Sequence, residues 1–283
     1  MEQIGIQSLK PHRLLDIDSS STDRTTALAD AVGFEIISIE QSQFSHGGTR
    51  QWAVGYLSDC VIIVFLTQDA ILAANDSVEE IVRCFDDPRV AVAYGRQLPR
   101  AGATPIETHA RLFNYGAKSE KKDSTTVHRL KSKVFFCSNS FAAYRRSTVM
   151  ELGGFRRDLN MGEDMEFAAR AIKAGYANLY CATACVFHSH DYTVWQTIQR
   201  YFDIGVFDDK NSWMREQFGS HKEEGMRLVK SELNYLTMHA PWQIPRALLQ
   251  TFAKIVGYEL GRLQRLLPAG IKRKVSMLPS YWR

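Results

Sequence analysis

Two acidic positions in this 283-residue chain stand where packing alone gives no reason for a charge. Asp69 ends the apolar run VIIVFLTQ, where a carboxylate could hold a hard divalent cation bridging diphosphate oxygens, or could cap the following turn. Asp164, beside Glu163, opens the segment GEDMEFAAR, a helix start that favours acids whatever the protein does. Glycines in GGF at 153–155 and MGED at 161–164 permit tight backbone near a ligand, so a carboxylate there could also take the proton of an attacking hydroxyl. His188 and His190 share strand parity, and one of them could complete a metal shell with Asp69; hydrogen-bonded structural histidines are the alternative. Cys181 and Cys185 have the opposite parity, which makes CATACVFHSH a poor zinc site. Asp18 and Asp23 bound the turn DSSSTD, while His46 and Arg50 lie in SHGGTR, where a guanidinium could meet a diphosphate or simply face solvent.

These residues need elements that present them together. RLLDI, EIISI, VIIVFLT and RVAVAYG read as strands, separated by the helical patterns TTALADAVG, the glycine-bearing SHGGTRQWAVGYL and the capped NDSVEEIVRCFD. Such alternation predicts an α/β fold with a mostly parallel sheet, whose crevice lies beyond the carboxyl ends of its strands. Residues 105–118 are expected to be helical, the basic stretch 119–133 a loop, VFFCSNSFAAYRR a strand and turn, and NLYCATACVFHSH a return to strand. From 193 onward three amphipathic helices follow in succession, so the chain divides into an α/β domain, 1–192, and a helical extension, 193–283.

The chain is 45% hydrophobic and 23% charged, enough to bury one large core. No window approaches the roughly 18 uninterrupted apolar residues of a membrane span, and the first residues lack a secretory signal's apolar stretch. A cytoplasmic protein with reduced cysteines is expected. The net charge of +4 and the absence of interleaved aromatic and basic residues argue against nucleic acid as a partner. Neither GxGxxG nor a Walker sequence occurs, which removes the main support for a dinucleotide oxidoreductase or a P-loop NTPase.

Taken in order, DSSSTDRT, FSHGGTR, FLTQDA, YGRQLP, FCSNSFAAYRR, GGF, GEDMEFAAR, HSHDYT and RYFDIG resemble the family 2 glycosyltransferases of GT-A fold, within them the rhamnosyltransferase-like enzymes of bacterial polysaccharide assembly. The resemblance spans nearly all of residues 13–210. It implies an inverting displacement in which an acceptor hydroxyl attacks the sugar of a nucleotide-sugar donor, dTDP-L-rhamnose by likeness, with Mg2+ or Mn2+ as cofactor. Asp164 is then similar to the family's catalytic base, Asp69 to the surviving carboxylate of its metal motif, and His188 or His190 to a further metal contact. Asp18, Ser20, Asp23, His46, Arg50 and Gln68 are implied to bind the donor, and Glu163, Arg200 and Tyr201 the acceptor or diphosphate. Gln68 stands where many relatives carry Asp, and Gln196 is one residue too early for the QxxRW pattern of processive members.

Against the family pattern the chain lacks an opening strand and helix before RLLDI. A start codon assigned too late is the expected cause, with natural truncation or a segment supplied by a partner as alternatives; a catalytically impaired binding or assembly protein is the competing function. A sugar nucleotidyltransferase is a third reading, without a convincing triphosphate loop. The resemblance further implies a lipid-linked saccharide acceptor. In the C-terminal third, residues 241–283, an amphipathic helix followed by KRK, Tyr281 and Trp282 could lie against the inner face of the membrane, or its apolar side could pack on the catalytic domain.

Overall fold

The computed structural model describes residues 2–220 and 222–282. Its strands are β1 (Leu15–Asp18), β2 (Glu35–Ser38), β3 (Ile62–Leu66), β4 (Ile71–Leu72), β5 (Val90–Leu98), β6 (Glu120–Lys122), β7 (Phe141–Arg145) and β8 (Ala177–Phe187). β1 and β2 pair in parallel as a separate sheet, Leu15 opposite Glu35. The main sheet runs β3-β7-β5-β8-β4, with β6 added on β8.

This sheet is mixed, which corrects the expectation of a mostly parallel one. Only β5 and β8 pair in parallel within it; β3–β7, β5–β7, β4–β8 and β6–β8 are antiparallel. Strand–helix alternation identifies the strands but not the neighbour each takes. β7 enters between β3 and β5 from a turn at their carboxyl ends, with Phe141 opposite Leu66, so it runs back against both. That turn, residues 138–140, sits at the crevice end of the sheet.

Burial on both sides of the central strands follows the two-residue side-chain period. Val92, Tyr94, Ala142 and Tyr144 join one core with Phe155 and Phe167, while Ala93, Phe141 and Ala143 join the other with Ile81, Phe85 and Val186. The basic stretch after residue 118 is not a loop: it contributes β6 and short helical turns through Phe135. Lys122, 4% exposed, donates to the Lys133 carbonyl at 3.0 Å and to the Tyr94 hydroxyl, with its charge over the Tyr94 ring.

After β8 come an inner helix, Val194–Lys210, then Ser212–Phe218, Lys222–His239, an outer helix, Ile244–Arg262, and Ala269–Val275. Thr193 and Gln196 form a capping box at the start of the inner helix, satisfying backbone donors there. Inner and outer helices touch through glycine. A Cβ at Gly257 would lie 2.4 Å from the Ile198 carbonyl oxygen, one at Gly261 2.1 Å from that of Phe202, and one at Gly205 2.2 Å from that of Tyr258. The pairs 198 with 257 and 202 with 261 advance together, so the two helices run parallel. All five cysteines are free thiols.

Candidate active site

Two clusters lie at the crevice end of the sheet, joined by the turn at 138–140. The first is Asp69, His188 and His190, whose ligand atoms all lie within 4.8 Å of one another. Asp69 follows β3, and both histidines follow β8. Asp69 Oδ2 is 3.3 Å from His188 Nε2 and 3.5 Å from His190 Nε2. The His188 hydrogen bond holds the Asp69 carboxyl well below the usual carboxylate range. Burial and the neighbouring His188 hold His190 down to about 4, so its ring is neutral with a free lone pair. Asp69 and His190 keep 40% and 35% of their side-chain surface open, leaving the cluster approachable from solvent.

Behind this cluster stands a residue whose role sequence reasoning missed. Gln97, 2% exposed, places Oε1 3.0 Å from His188 Nδ1, while Arg111 donates to the same oxygen at 2.7 Å. An amide oxygen can only accept, so Nδ1 donates to Gln97, and a cation held beside Asp69 would take the place of the proton that Nε2 shares with that carboxylate. One carboxylate and two imidazole nitrogens, with the tautomer of one fixed from behind, form a donor set that fits a divalent cation. Arg100 donates to the Asp69 carbonyl and takes Ser189 Oγ on its own backbone N–H at 3.2 Å, pinning the metal loop to the histidine segment.

The second cluster centres on the helix Glu163–Lys173. Its N-cap is Gly162 at φ +77, a left-handed conformation, and a Cβ there would also lie 2.7 Å from the Phe207 ring. Only glycine meets both demands. Glu163, 3% exposed, accepts from Asn139 Nδ2 at 3.0 Å and from Arg50. Burial alone would raise its pKa, but Arg50 and His46 more than offset this and hold it low. Asp164 accepts from the Asn139 backbone N–H at 2.9 Å and the Met165 N–H at 2.8 Å. Burial, then the Glu163 charge, pushes its carboxyl up to about 6. Two adjacent carboxylates are thus driven apart, one fixed as an anion and one able to exchange a proton near neutrality. Their partners Asn139 and Tyr144 were not singled out from sequence; Tyr144 donates to Asn139 Oδ1 at 2.7 Å.

The turn joins the two. Gln97 Nε2 donates to Ser138 Oγ at 2.9 Å, the next residue, Asn139, holds both carboxylates, and the Ser140 carbonyl accepts from Thr67 N–H at 3.3 Å. Arg200, half-buried on the inner helix, has no acid within ion-pair distance among the described residues. Its charge acts on His46 in one cluster and His190 in the other.

The remaining expected residues lie on the turn after β1, on the metal loop and on two helices. Asp18, 7% exposed, accepts from Ser21 N–H at 3.1 Å, and Ser20, at φ +66, donates to the Ile39 carbonyl at 3.1 Å. Asp23 closes its own turn by accepting from Thr25 N–H at 2.9 Å. Gln68 Nε2 donates to Thr25 Oγ1 at 3.3 Å, tying that loop to the metal loop. Ser45 caps the helix His46–Tyr56, which carries His46 and Arg50 at their i, i+4 spacing with 3.4 Å between Nδ1 and Nη1. Tyr201 follows Arg200 on the inner helix, with the Lys254 ammonium 6.0 Å from its ring.

The chain is 48% identical to the O-antigen chain rhamnosyltransferase RfbN of Salmonella typhimurium, an alignment covering 100% of this chain and 90% of the relative. It is 49% identical to WbaN of Salmonella anatum, also an O-antigen chain rhamnosyltransferase, over 98% of this chain and 88% of that one. Among solved structures it shares a fold with the mannosyltransferase PcManGT of Pyrobaculum calidifontis, determined with GDP-Man and Mn2+, at TM-score 0.52 and 18% identity over 99% of this chain and 79% of that one. S. aureus TarS has a similar TM-score, 0.51, at 11% identity, with 93% and 51% of the two chains covered. The fold is therefore GT-A-like with a C-terminal helical extension. The pattern of Glycosyl transferase family group 2 matches residues 62–251, a span that holds Asp69, Glu163, Asp164, His188 and His190, and the chain belongs to that family of glycosyltransferases.

Proposed function

We propose that this chain transfers L-rhamnose from dTDP-L-rhamnose to a saccharide carried on a membrane lipid, in surface polysaccharide synthesis, by a single inverting displacement. The donor sugar is inferred from the two rhamnosyltransferases to which it is similar over nearly its whole length. The chemistry is inferred from one observation: residues 138–140 tie a donor set for a divalent cation to a carboxyl raised to about 6.

In this reading Asp164 accepts the proton of the acceptor hydroxyl as that oxygen attacks the anomeric carbon, and the nucleoside diphosphate leaves. Asn139 orients Asp164 through its backbone N–H, and Glu163, held as an anion by Arg50, keeps the base's pKa near working pH. Asp69, His188 and His190 would hold Mg2+ or Mn2+, which when bound supplies charge compensation for the leaving diphosphate. Arg200, with no acid within ion-pair distance among the described residues, and Tyr201 meet the diphosphate or acceptor, while Asp18, Ser20, Asp23, His46, Arg50 and Gln68 line the donor side. Residues 1–192 carry the chemistry and 193–283 support it, at the cytoplasmic face of the membrane.

The test is release of nucleoside diphosphate from dTDP-L-rhamnose with Mg2+ or Mn2+ and an extract of lipid-linked acceptor, beside Asp164→Asn. Acceptor-dependent release that disappears in the variant is expected. Release that persists undiminished in Asp164→Asn would remove Asp164 from the reaction, and no release with this donor would reject rhamnose.

A further inference from the structure

The outer helix buries the wrong face for an ordinary amphipathic helix. Ala247, Gln250, Ala253, Gly257 and Gly261 are its buried residues, four of the five small, because the glycine contact with the inner helix admits no side chain there. Leu248, Leu249, Phe252 and Ile255 are turned outward and are 51, 50, 64 and 58% exposed. Trp242 ahead of the helix and Leu266 beyond it continue the exposed run at 72% and 77%. Spacing of three and four residues places Leu248, Leu249, Phe252 and Ile255 along one strip, and a contiguous apolar strip on a folded protein marks a contact surface.

The charge around the strip says what it meets. Residues 241–283 hold eight Lys or Arg and one acid, Glu259. That acid is paired with Arg262 at 3.5 Å. Exposed Arg273 and Lys274 have no acid within 4.0 Å among the described residues, and Lys272 lies 4.7 Å from the centre of the Trp282 ring. A second copy meeting this face across a two-fold axis would set like charges opposite each other, which disfavours self-association. No helix among the described residues is long and apolar enough to cross a membrane, so the strip would lie along a bilayer and not through it.

We propose that the outer face of Ile244–Arg262, with the cationic segment 272–274, seats an anionic lipid bilayer surface. Phe252, Leu249 and Trp242 enter the boundary between headgroups and acyl chains, and the cations meet lipid phosphates. The membrane-borne acceptor proposed above supplies the purpose of this docking, but the docking itself needs neither donor nor acceptor.

Sedimentation with vesicles of mixed phosphatidylglycerol and phosphatidylcholine, without any sugar nucleotide, tests it. The full chain is expected to bind these vesicles, and to bind pure phosphatidylcholine more weakly. Leu249→Glu/Phe252→Glu is expected to lower binding at least about tenfold, with circular dichroism and gel-filtration position unchanged and with undiminished turnover of a soluble acceptor. Lys272→Gln/Arg273→Gln/Lys274→Gln, which leaves the apolar strip intact, is expected to erase the preference for anionic lipid. Binding that survives the first variant, or no binding to either vesicle, would overturn the proposal. So would a dimer that the first variant dissociates, since the strip would then join two copies. Loss of transfer to a soluble acceptor in Asp164→Asn with vesicle binding intact separates the catalytic reading from this one.

Discussion

Asp164 and Glu163 are neighbours in sequence with opposite electrostatic fates, and the difference is set by Arg50. Glu163 has a guanidinium on its carboxylate, whereas Asp164 accepts from two backbone N–H groups and has the charge of Glu163 beside it. Replacing Asp164 by Asn keeps shape and removes the base, so turnover should fall by roughly 10²–10⁴ while the donor KM changes little. The ionised form is the active one, so kcat/KM should rise with pH through about 6 and level off above it, as a pH profile of the wild type would record. Gln97→Leu removes the acceptor that fixes the His188 tautomer. It should weaken Mn2+ binding by about 10–100-fold, read by metal titration in electron paramagnetic resonance. Asp69, Asp164 and the two histidines were legible in the sequence because charged or imidazole groups interrupt apolar patterns at element ends. Gln97 and Asn139 were not, because an amide in a strand or turn carries no sign of which side chain it will meet.

At the scale of elements, strand and helix positions were largely legible from periodicity, and pairing direction was not. Nothing in FAAYR reveals that it inserts antiparallel between β3 and β5; that depends on where the turn at 138–140 emerges, a long-range property. The basic stretch misled for a related reason, since Lys122 looks solvated until Tyr94 and the Lys133 carbonyl are brought to it. The glycine contact between inner and outer helices was equally silent, because glycine in a helix reads as a weakness and not as a close approach. It gives a sharp expectation. Gly257→Val puts a branched side chain where even a Cβ lies 2.4 Å from backbone, so it should destabilise the chain by about 1–3 kcal/mol in urea unfolding.

In the molecule as a whole, one buried acid joins two parts of the helical extension to each other and to the α/β part. Asp203, 1% exposed on the inner helix, accepts from Ser276 Oγ at 2.6 Å and Met277 N–H at 2.9 Å. Its backbone carbonyl takes Asn160 Nδ2 at 3.0 Å, just ahead of the helix that carries Asp164. Ser276→Ala withdraws a donor from a buried carboxylate and should cost about 1–3 kcal/mol, with a lower urea midpoint and an unchanged slope. The glycine contact has a mechanical side as well. Two helical backbones in direct touch have no layer of side chains between them to compress, so they move as a single stiff beam. Arg200 rides on the inner member of that beam and the apolar strip on the outer one. A displacement of the outer helix therefore carries with it the guanidinium whose charge reaches both His190 and His46.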